Sequence, residues 1–306
     1  MIIAYGIKNN NIDVTNICIN NLRNGNYIII PSTDGERAKY FTDPLYGILK
    51  SIFILDDENN VTEYDYTCTI YIDMTTNKVI SIDNVPLNLI SVDEKIRNIH
   101  NKLSIKYGSF NDELPEQKMS VRYLTGNETI LEIGGNIGRN SLIISYILNN
   151  KNINKNNLVV LESDIDIYNQ LKDNRDLNNM NFIIENSALS KRKLIQQGWN
   201  TIVSDTLIDG YKNVNIISYN DLQNKYNIIF DTLVLDCEGA FYYILYDMPE
   251  ILSNIKLIIM ENDYTDINHK IYIDKILKEN NFYVDYVESG GWGPCYNNFY
   301  EVWKKL

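Results

Sequence analysis

The feature that most constrains this chain is a glycine-rich turn set inside a regular alternation of strand-type and helix-type segments. In Leu131-Glu132-Ile133-Gly134-Gly135-Asn136-Ile137-Gly138-Arg139-Asn140-Ser141 an acid lies near the end of an apolar strand, and glycines follow at Gly-x-x-x-Gly spacing. A glycine permits a sharp turn, and its missing Cβ lets a ligand approach the backbone. The N–H groups of the helix that follows then point at that ligand. Nearly continuous apolar runs at Thr129–Ile133, Leu158–Glu162, Asn181–Ile184, Ile229–Asp236 and Lys256–Glu261 predict strands covered on both faces. Ser141–Leu148, Ile165–Leu177, Phe241–Leu252 and Tyr272–Glu279 predict the helices between and after them. Such alternation implies an α/β fold with a mostly parallel, doubly wound sheet. Phe282–Val287 and Phe299–Trp303 predict a closing antiparallel hairpin at the sheet edge.

The first 85 or so residues read differently. Met1–Tyr5, Tyr27–Ile30, Leu49–Leu55 and Tyr64–Ile72 are strand-length runs, separated by turn chemistry such as Asn24-Gly25-Asn26 and Thr33-Asp34-Gly35. Strands without intervening helices predict a small β-sandwich over residues 1–85, joined near Asn84–Ser91 to an α/β domain over 92–306. Val92–Leu103 and Pro115–Leu124 predict helices that precede the sheet.

Composition narrows the function. The chain has 306 residues, 44% of them hydrophobic, and a formal net charge of −12. That charge repels phosphate backbones, and the longest basic run, Lys191-Arg192-Lys193, is short, so a nucleic acid is not the expected partner. The four cysteines are far apart with no C-x-x-C pair, which argues against zinc and against a disulfide framework. No apolar stretch approaches the ~20 residues of a membrane span. A soluble cytoplasmic protein is expected.

The glycine turn also has partners at the right places. Glu162 closes the next strand, 24 residues past Gly138, where a carboxylate can accept both hydroxyls of a ribose. Asn186-Ser187-Ala188 follows the third strand, where an adenine would lie. The spacing departs from the G-x-G-x-x-G of dinucleotide sites, which seat a pyrophosphate on the helix end. An acid at the end of strand one suits a ligand with an ammonium group instead. Turn, acid and third-strand segment in this order therefore predict a nucleoside ligand held by Glu132, Gly134, Gly135, Asn136, Gly138, Asn140, Ser141, Glu162, Ser163, Ser187, Ala188 and Asp236.

These residues resemble the FkbM family of S-adenosylmethionine-dependent methyltransferases, and the likeness runs from about Glu116 to Tyr300. Leu161-Glu162-Ser163-Asp164 followed by Leu171, Asn174 and Asn178 is similar to that family's acid loop and helix. Ile217-Ser218-Tyr219-Asn220-Asp221-Leu222 is similar to its segment before strand four, Leu235-Asp236-Cys237-Glu238-Gly239-Ala240 to its Asp-x-Glu-Gly-Ala signature, and Ile258-Ile259-Met260-Glu261 to its strand-five ending. Two positions depart from the pattern. The first loop reads Glu132-Ile133-Gly134-Gly135-Asn136 where the family often has Asp-x-Gly-Ala-Asn, and Phe241 stands where it often has Glu. The resemblance implies a Rossmann-like class I methyltransferase sheet, S-adenosyl-L-methionine as cofactor, and O-methylation of a small molecule or glycan. N-methylation and a non-catalytic scaffold are the alternatives. At the N-terminus, Ala4-Tyr5-Gly6, Ile12-Asp13-Val14-Thr15, and Asp43-Pro44 with Gly47 and Lys50 are similar to a β-rich C-terminal domain of DnaJ-type chaperones. That region could serve glycan binding, assembly into a homodimer, or packing alone.

Methyl transfer needs the acceptor placed in line with the methyl group and, for a hydroxyl, a base. Asp236 and Glu238 after strand four, Glu261 and Asp263 after strand five, and His269 are the candidates. Glu238 reads equally as a loop brace, and His269 as an exposed loop residue. Asp236, Glu261 and Asn262 resemble the oxygen ligands of Mg²⁺-dependent O-methyltransferases, although the family resemblance does not require a metal. Trp292 and Tyr296 offer rings for stacking on an acceptor or for packing. Glu116-Gln117 could close over the methionine end of the cofactor or cap a helix.

Overall fold

A computed structural model describes residues 1–149 and 157–306, which form two compact units, Met1–Glu94 and Lys95–Leu306. In the first unit the elements run β1 (Ile2–Ile7), β2 (Asn10–Asp13), α1 (Thr15–Asn21), β3 (Arg23–Asn24), β4 (Tyr27–Ile30), α2 (Asp34–Phe41), β5 (Ser51–Leu55), β6 (Val61–Tyr64), β7 (Ile70–Asp73) and β8 (Lys78–Ile80). They make two antiparallel sheets, β2-β1-β5-β6 and β3-β4-β7-β8. Inward residues of both sheets, among them Ile3, Ile28, Ile52 and Ile72, share one core with Cys18 of α1 and Phe41 of α2.

Two sequence expectations change here. The unit is not made of strands alone. Thr33 is a helix cap rather than a turn residue, because its hydroxyl accepts the Glu36 N–H and starts α2. The expected strand Tyr64–Ile72 is two strands, because Asp65 accepts hydrogen bonds from the Thr67 N–H and hydroxyl and turns the chain between β6 and β7. Beyond β8, Val85 and Ile90 pack against Tyr71, which carries the first unit on to Glu94.

Three residues of the N-terminal motif words, Tyr5, Asp43 and Lys50, meet Asp34 at one polar knot. The Lys50 ammonium, 1% exposed, lies 2.9 Å from Asp34 and 2.8 Å from Asp43, and donates to the Ile48 carbonyl. The Tyr5 hydroxyl donates to Asp34 at 2.6 Å. Burial alone would raise the Asp34 carboxyl, but the bonds from Tyr5 and Lys50 outweigh it and hold it below the usual range. Gly6 has φ +152°, and a Cβ there would be driven into Asn10 and Asn11 of the paired strand β2.

The second unit opens with α3 (Val92–His100), which straddles the division, then α4 (Leu114–Tyr123), β9 (Ile130–Ile133), α5 (Arg139–Asn149), β10 (Leu158–Leu161), α6 (Ile165–Leu177), β11 (Ile183–Glu185) and β12 (Ala188–Leu189). It continues with β13 (Leu194–Gln197), β14 (Asn200–Val203), β15 (Lys212–Val214), β16 (Ile216–Ile217), α7 (Tyr219–Tyr226), β17 (Thr232–Leu235), α8 (Phe241–Asp247), β18 (Leu257–Glu261), α9 (Ile267–Glu279), β19 (Phe282–Glu288) and β20 (Tyr300–Lys305). The main sheet has the order β11-β10-β9-β17-β18-β20-β19, parallel from β11 to β18, with β20 antiparallel between β18 and β19. This is a Rossmann-like α/β sheet.

Alternate residues of each strand feed opposite faces. Leu131, Val159, Leu233 and Ile258 pack toward α7, α8 and α9, while Ile130, Val160, Val234 and Ile259 pack toward α4, α5 and α6. The helix predicted over Phe241–Leu252 breaks after Asp247, and Pro249–Leu252 continues as a 3-10 turn. α9 starts five residues before the predicted Tyr272 because Asp266 caps it, accepting the Asn268 N–H. Among the described residues no helix is long and apolar enough to cross a membrane.

Replacing Lys50 by Met should leave Asp34 and Asp43 uncompensated and cost about 3–5 kcal/mol. Urea denaturation of the full chain checks this, and a variant within about 0.5 kcal/mol of wild type would show that the knot is not structural.

Candidate nucleoside and methyl-transfer site

After β9 the chain crosses to β10 and β11 on one side, then returns to β17 and β18 on the other. Ligands in open α/β sheets bind at such a switch point, outside the carboxyl ends of the strands. A cleft of about 1230 Å³ opens there. Gly134 sits on its floor with φ +88°, and a Cβ at this residue would be driven into the carbonyl of Asp236 at the end of β17. The turn is stitched to β10, since the N–H groups of Gly134 and Gly135 both donate to the Leu161 carbonyl.

The expected cofactor residues divide into two groups. Gly134, Asn136, Glu162 and Ser163 line the cleft, with Ser187, Ala188 and Asp236. Gly135, Gly138, Asn140, Ser141 and Glu132 lie behind it. A Cβ on Gly135 would meet Val160, and one on Gly138 would meet Leu171, so both glycines serve packing. Asn140 accepts a hydrogen bond from Ser120 at 2.9 Å. Ser141 is buried beside Glu132, which burial, reinforced by Glu113, pushes up to about 8.

Glu162 is the most completely built of these residues. Its Oε2 accepts the Asn136 N–H and its Oε1 the Asp164 N–H, both at 2.9 Å. Burial raises the carboxyl to about 7 against those two bonds. A carboxylate has about four acceptor positions, so a diol can still be bound. Asn186 ties the third-strand loop to this one by donating to the carbonyls of Glu162 and Ser163.

The opposite wall is a group of carboxyls. Glu116 and Glu261 stand side by side, with Asp236 close enough to raise Glu261 and to be raised in turn by Glu113 and Glu116. Burial is the first cause in each case; repulsion from neighbouring carboxyls follows for Asp236 and Glu261, whereas a hydrogen bond with Glu261 pulls Glu116 down; Glu261 is pushed up to about 10. Arg139 pairs with Glu113 at 2.5 Å. Glu116 Oε2 and Glu132 Oε2 are buried without a completed hydrogen bond. Such a group is costly unless a cation joins it.

Glu238 also lines the cleft; it is exposed, yet partial loss of solvent raises its carboxyl. Its backbone is left-handed at φ +51°, unusual for a side chain of this size. The next residue, Gly239, is left-handed too and donates its N–H to Asp263 Oδ1 at 2.7 Å. Asp263 is pushed up to about 7, by burial first and then by Glu238. Phe241, at the position of the missing family Glu, is buried in the core.

Other expectations are displaced. His269 does not line the cleft; it lies on the first turn of α9, stacked on Tyr242 at 3.8 Å between ring centroids. Asn262 is fully buried and donates to the Asn298 carbonyl, so only Asp236 and Glu261 of the expected Mg²⁺ set face the cleft. Among the described residues no group of three or more His, Cys, Asp or Glu is arranged to hold a metal. Trp292 and Tyr296 are outside the cleft, whereas Tyr300 and Trp199 line it. Gln117 braces the loop before α4, donating to the carbonyls of Phe110 and Asp112, while Glu116 reaches the cleft. Glu113 and Trp199 were not singled out by sequence reasoning, since neither belongs to a motif.

The sequence matches no family model and no curated protein. Among solved structures the chain is similar to a ribosomal protein L11 methylase from Lactobacillus delbrueckii subsp. bulgaricus, with 11% identity over 66% of this chain and 82% of that one, at a TM-score of 0.41. It is also similar to a putative O-methyltransferase from Klebsiella pneumoniae, with 14% identity, 73% and 93% coverage, and a TM-score of 0.40. An O-methyltransferase from Bacillus cereus in complex with SAH gives 14% identity, 73% and 95% coverage, and a TM-score of 0.39.

The Asp236 carbonyl leaves no room for a side chain at Gly134. Gly134→Ala should already cost more than about 3 kcal/mol, read as a loss of soluble protein or a fall in melting temperature. Glu132 holds a proton in the folded state from its ordinary 4.5 up to about 8, so its contribution to stability is lost as pH rises through that window. Glu132→Gln should flatten the decline in urea midpoint between about pH 5 and about pH 8, and parallel curves for the two proteins would refute this assignment.

Proposed function

We propose that Lys95–Leu306 is an S-adenosylmethionine-dependent methyltransferase unit that methylates a hydroxyl of a glycan or other small molecule. The observation that carries this reading is the group of carboxyls lining the cleft with the glycine turn and Glu162, Glu116 buried and Asp236 and Glu261 partly so. A dinucleotide would bring a pyrophosphate into this wall and be repelled. A nucleoside bearing a sulfonium and an ammonium supplies the positive charge the wall lacks.

On this reading Glu162 accepts the ribose hydroxyls, the Ser187–Ala188 segment borders the base, and the backbone at Gly134 and Asn136 adjoins the amino-acid end. When bound, S-adenosylmethionine supplies an electrophilic methyl group on positively charged sulfur. The chain's own tasks are to orient the acceptor oxygen and take its proton. Asp236 and Glu238 are the carboxylates available on the cleft to take that proton, and loss of solvent raises both. The motif resemblance to FkbM-type enzymes supports an oxygen acceptor. The acidic surface disfavours a nucleic acid, and four free cysteines suit a reducing cytoplasm.

Calorimetric titration with S-adenosylmethionine, S-adenosylhomocysteine and NAD tests the proposal. Both S-adenosyl ligands should bind and NAD should not, and Glu162→Ala should weaken them at least about tenfold while the melting temperature is kept. Because a cation favours the ionised carboxyls and Glu261 is pushed up to about 10, S-adenosylmethionine should bind more tightly as pH rises above about 6. A folded protein that binds neither S-adenosyl ligand would refute the reading.

A further inference from the structure

The segment from Leu194 to Val214 belongs to none of the motifs, yet it forms a separate three-stranded sheet, β14-β13-β15, along the cleft. Side chains tie it down on two sides. Toward the acid loop, Gln196 Oε1 accepts a hydrogen bond from the Ser163 hydroxyl at 2.9 Å, and Lys212 reaches Asp166 at 3.3 Å. Toward α8, Arg192 pairs with Asp247 and Lys191 with Glu250. The β13–β14 hairpin thus runs from the end of α8 to the residue directly after Glu162. At its tip, where Gly198 turns with φ +56°, Trp199 lines the cleft while 61% exposed. A tryptophan this exposed has no packing role to account for it, and it stands on the hairpin whose Gln196 is bonded next to the proposed ribose acceptor.

We infer that the β13–β14 hairpin roofs the nucleoside half of the cleft, with Trp199 a stacking surface for the purine nucleoside and Gln196 the latch that holds the roof to Ser163. This inference rests on the proposed cofactor and adds to it a contact outside the Rossmann-like sheet. An indole face suits a purine because both present flat π surfaces, and stacking of a base on an aromatic ring makes a substantial share of nucleoside affinity. On the side of the acid loop the roof is held by side-chain contacts, Gln196 with Ser163 and Lys212 with Asp166.

The protein carries three tryptophans, which makes the test direct. Trp199 is on the cleft, Trp292 is exposed outside it, and Trp303 is fully buried. S-adenosylhomocysteine should quench the fluorescence of wild type and of Trp292→Phe, and the quench should vanish in Trp199→Phe. Trp199→Ala should bind S-adenosylhomocysteine about tenfold more weakly by calorimetry, and Gln196→Ala should release it faster in stopped-flow. Wild-type affinity in Trp199→Ala, with the quench lost only in Trp292→Phe, would overturn the inference and leave the cofactor assignment standing. Failure of the wild-type chain to bind S-adenosylhomocysteine at all would overturn both.

Discussion

The close approach of Gly134 to the Asp236 carbonyl is the constraint on which the second unit depends. It joins the ends of the two central strands at the point where the chain reverses its direction across the sheet. With no Cβ between them, β9 and β17 can end at the same level, and the turn after β9 can pass over the end of β17. Everything that lines the cleft is placed relative to this contact. Glu162 is reached through the Leu161 carbonyl that receives the turn's N–H groups, and Asp236 is fixed by the contact itself. The glycine is as much a structural residue as a ligand-facing one.

Electrostatics gives the site its second constraint. Two kinds of buried carboxyl occur in this chain, and they behave in opposite ways. Asp34 is buried with a lysine and a tyrosine and is held ionised. Glu116, Asp236 and Glu261 are clustered with other carboxyls, away from much of the solvent, and are driven toward the neutral form. The first arrangement is complete as it stands and reads as stability. In the second the nearby Arg139 is taken up by Glu113, and the group lines open space rather than packed side chains. The same side-chain chemistry thus separates a structural knot from a place where a ligand belongs.

What could be read in the sequence follows from how locally each element is determined. β10, β17 and β18 are apolar runs buried on both faces, and α6 was legible from end to end because Asp164 caps it. Gly134, Glu162 and Asp236 could be located because the order of strands in such a sheet places them. The N-terminal helices were missed for a different reason: α1 is a short run of Asn, Ile and Thr that buries only Cys18, so packing rather than propensity makes it a helix. The roof gave no burial signal, since β14 is largely exposed. His269 and Asn262 were misjudged because proximity in sequence to a strand end does not say which way a side chain turns. The Asp266 cap put the first on a helix, and the Asn298 carbonyl drew the second into the interior.

The short parallel pair β12–β16 has a consequence of its own. Ala188 pairs with Ile216 and Leu189 with Ile217, so the chain leaves the main body and returns to it at neighbouring positions. Everything between them hangs from a closed stem. Such a segment can lengthen, shorten or be exchanged for another without altering the register of any strand in the large sheet. It is a natural graft point, where descendants of one scaffold can diverge in what they admit to the cleft while inheriting the same floor.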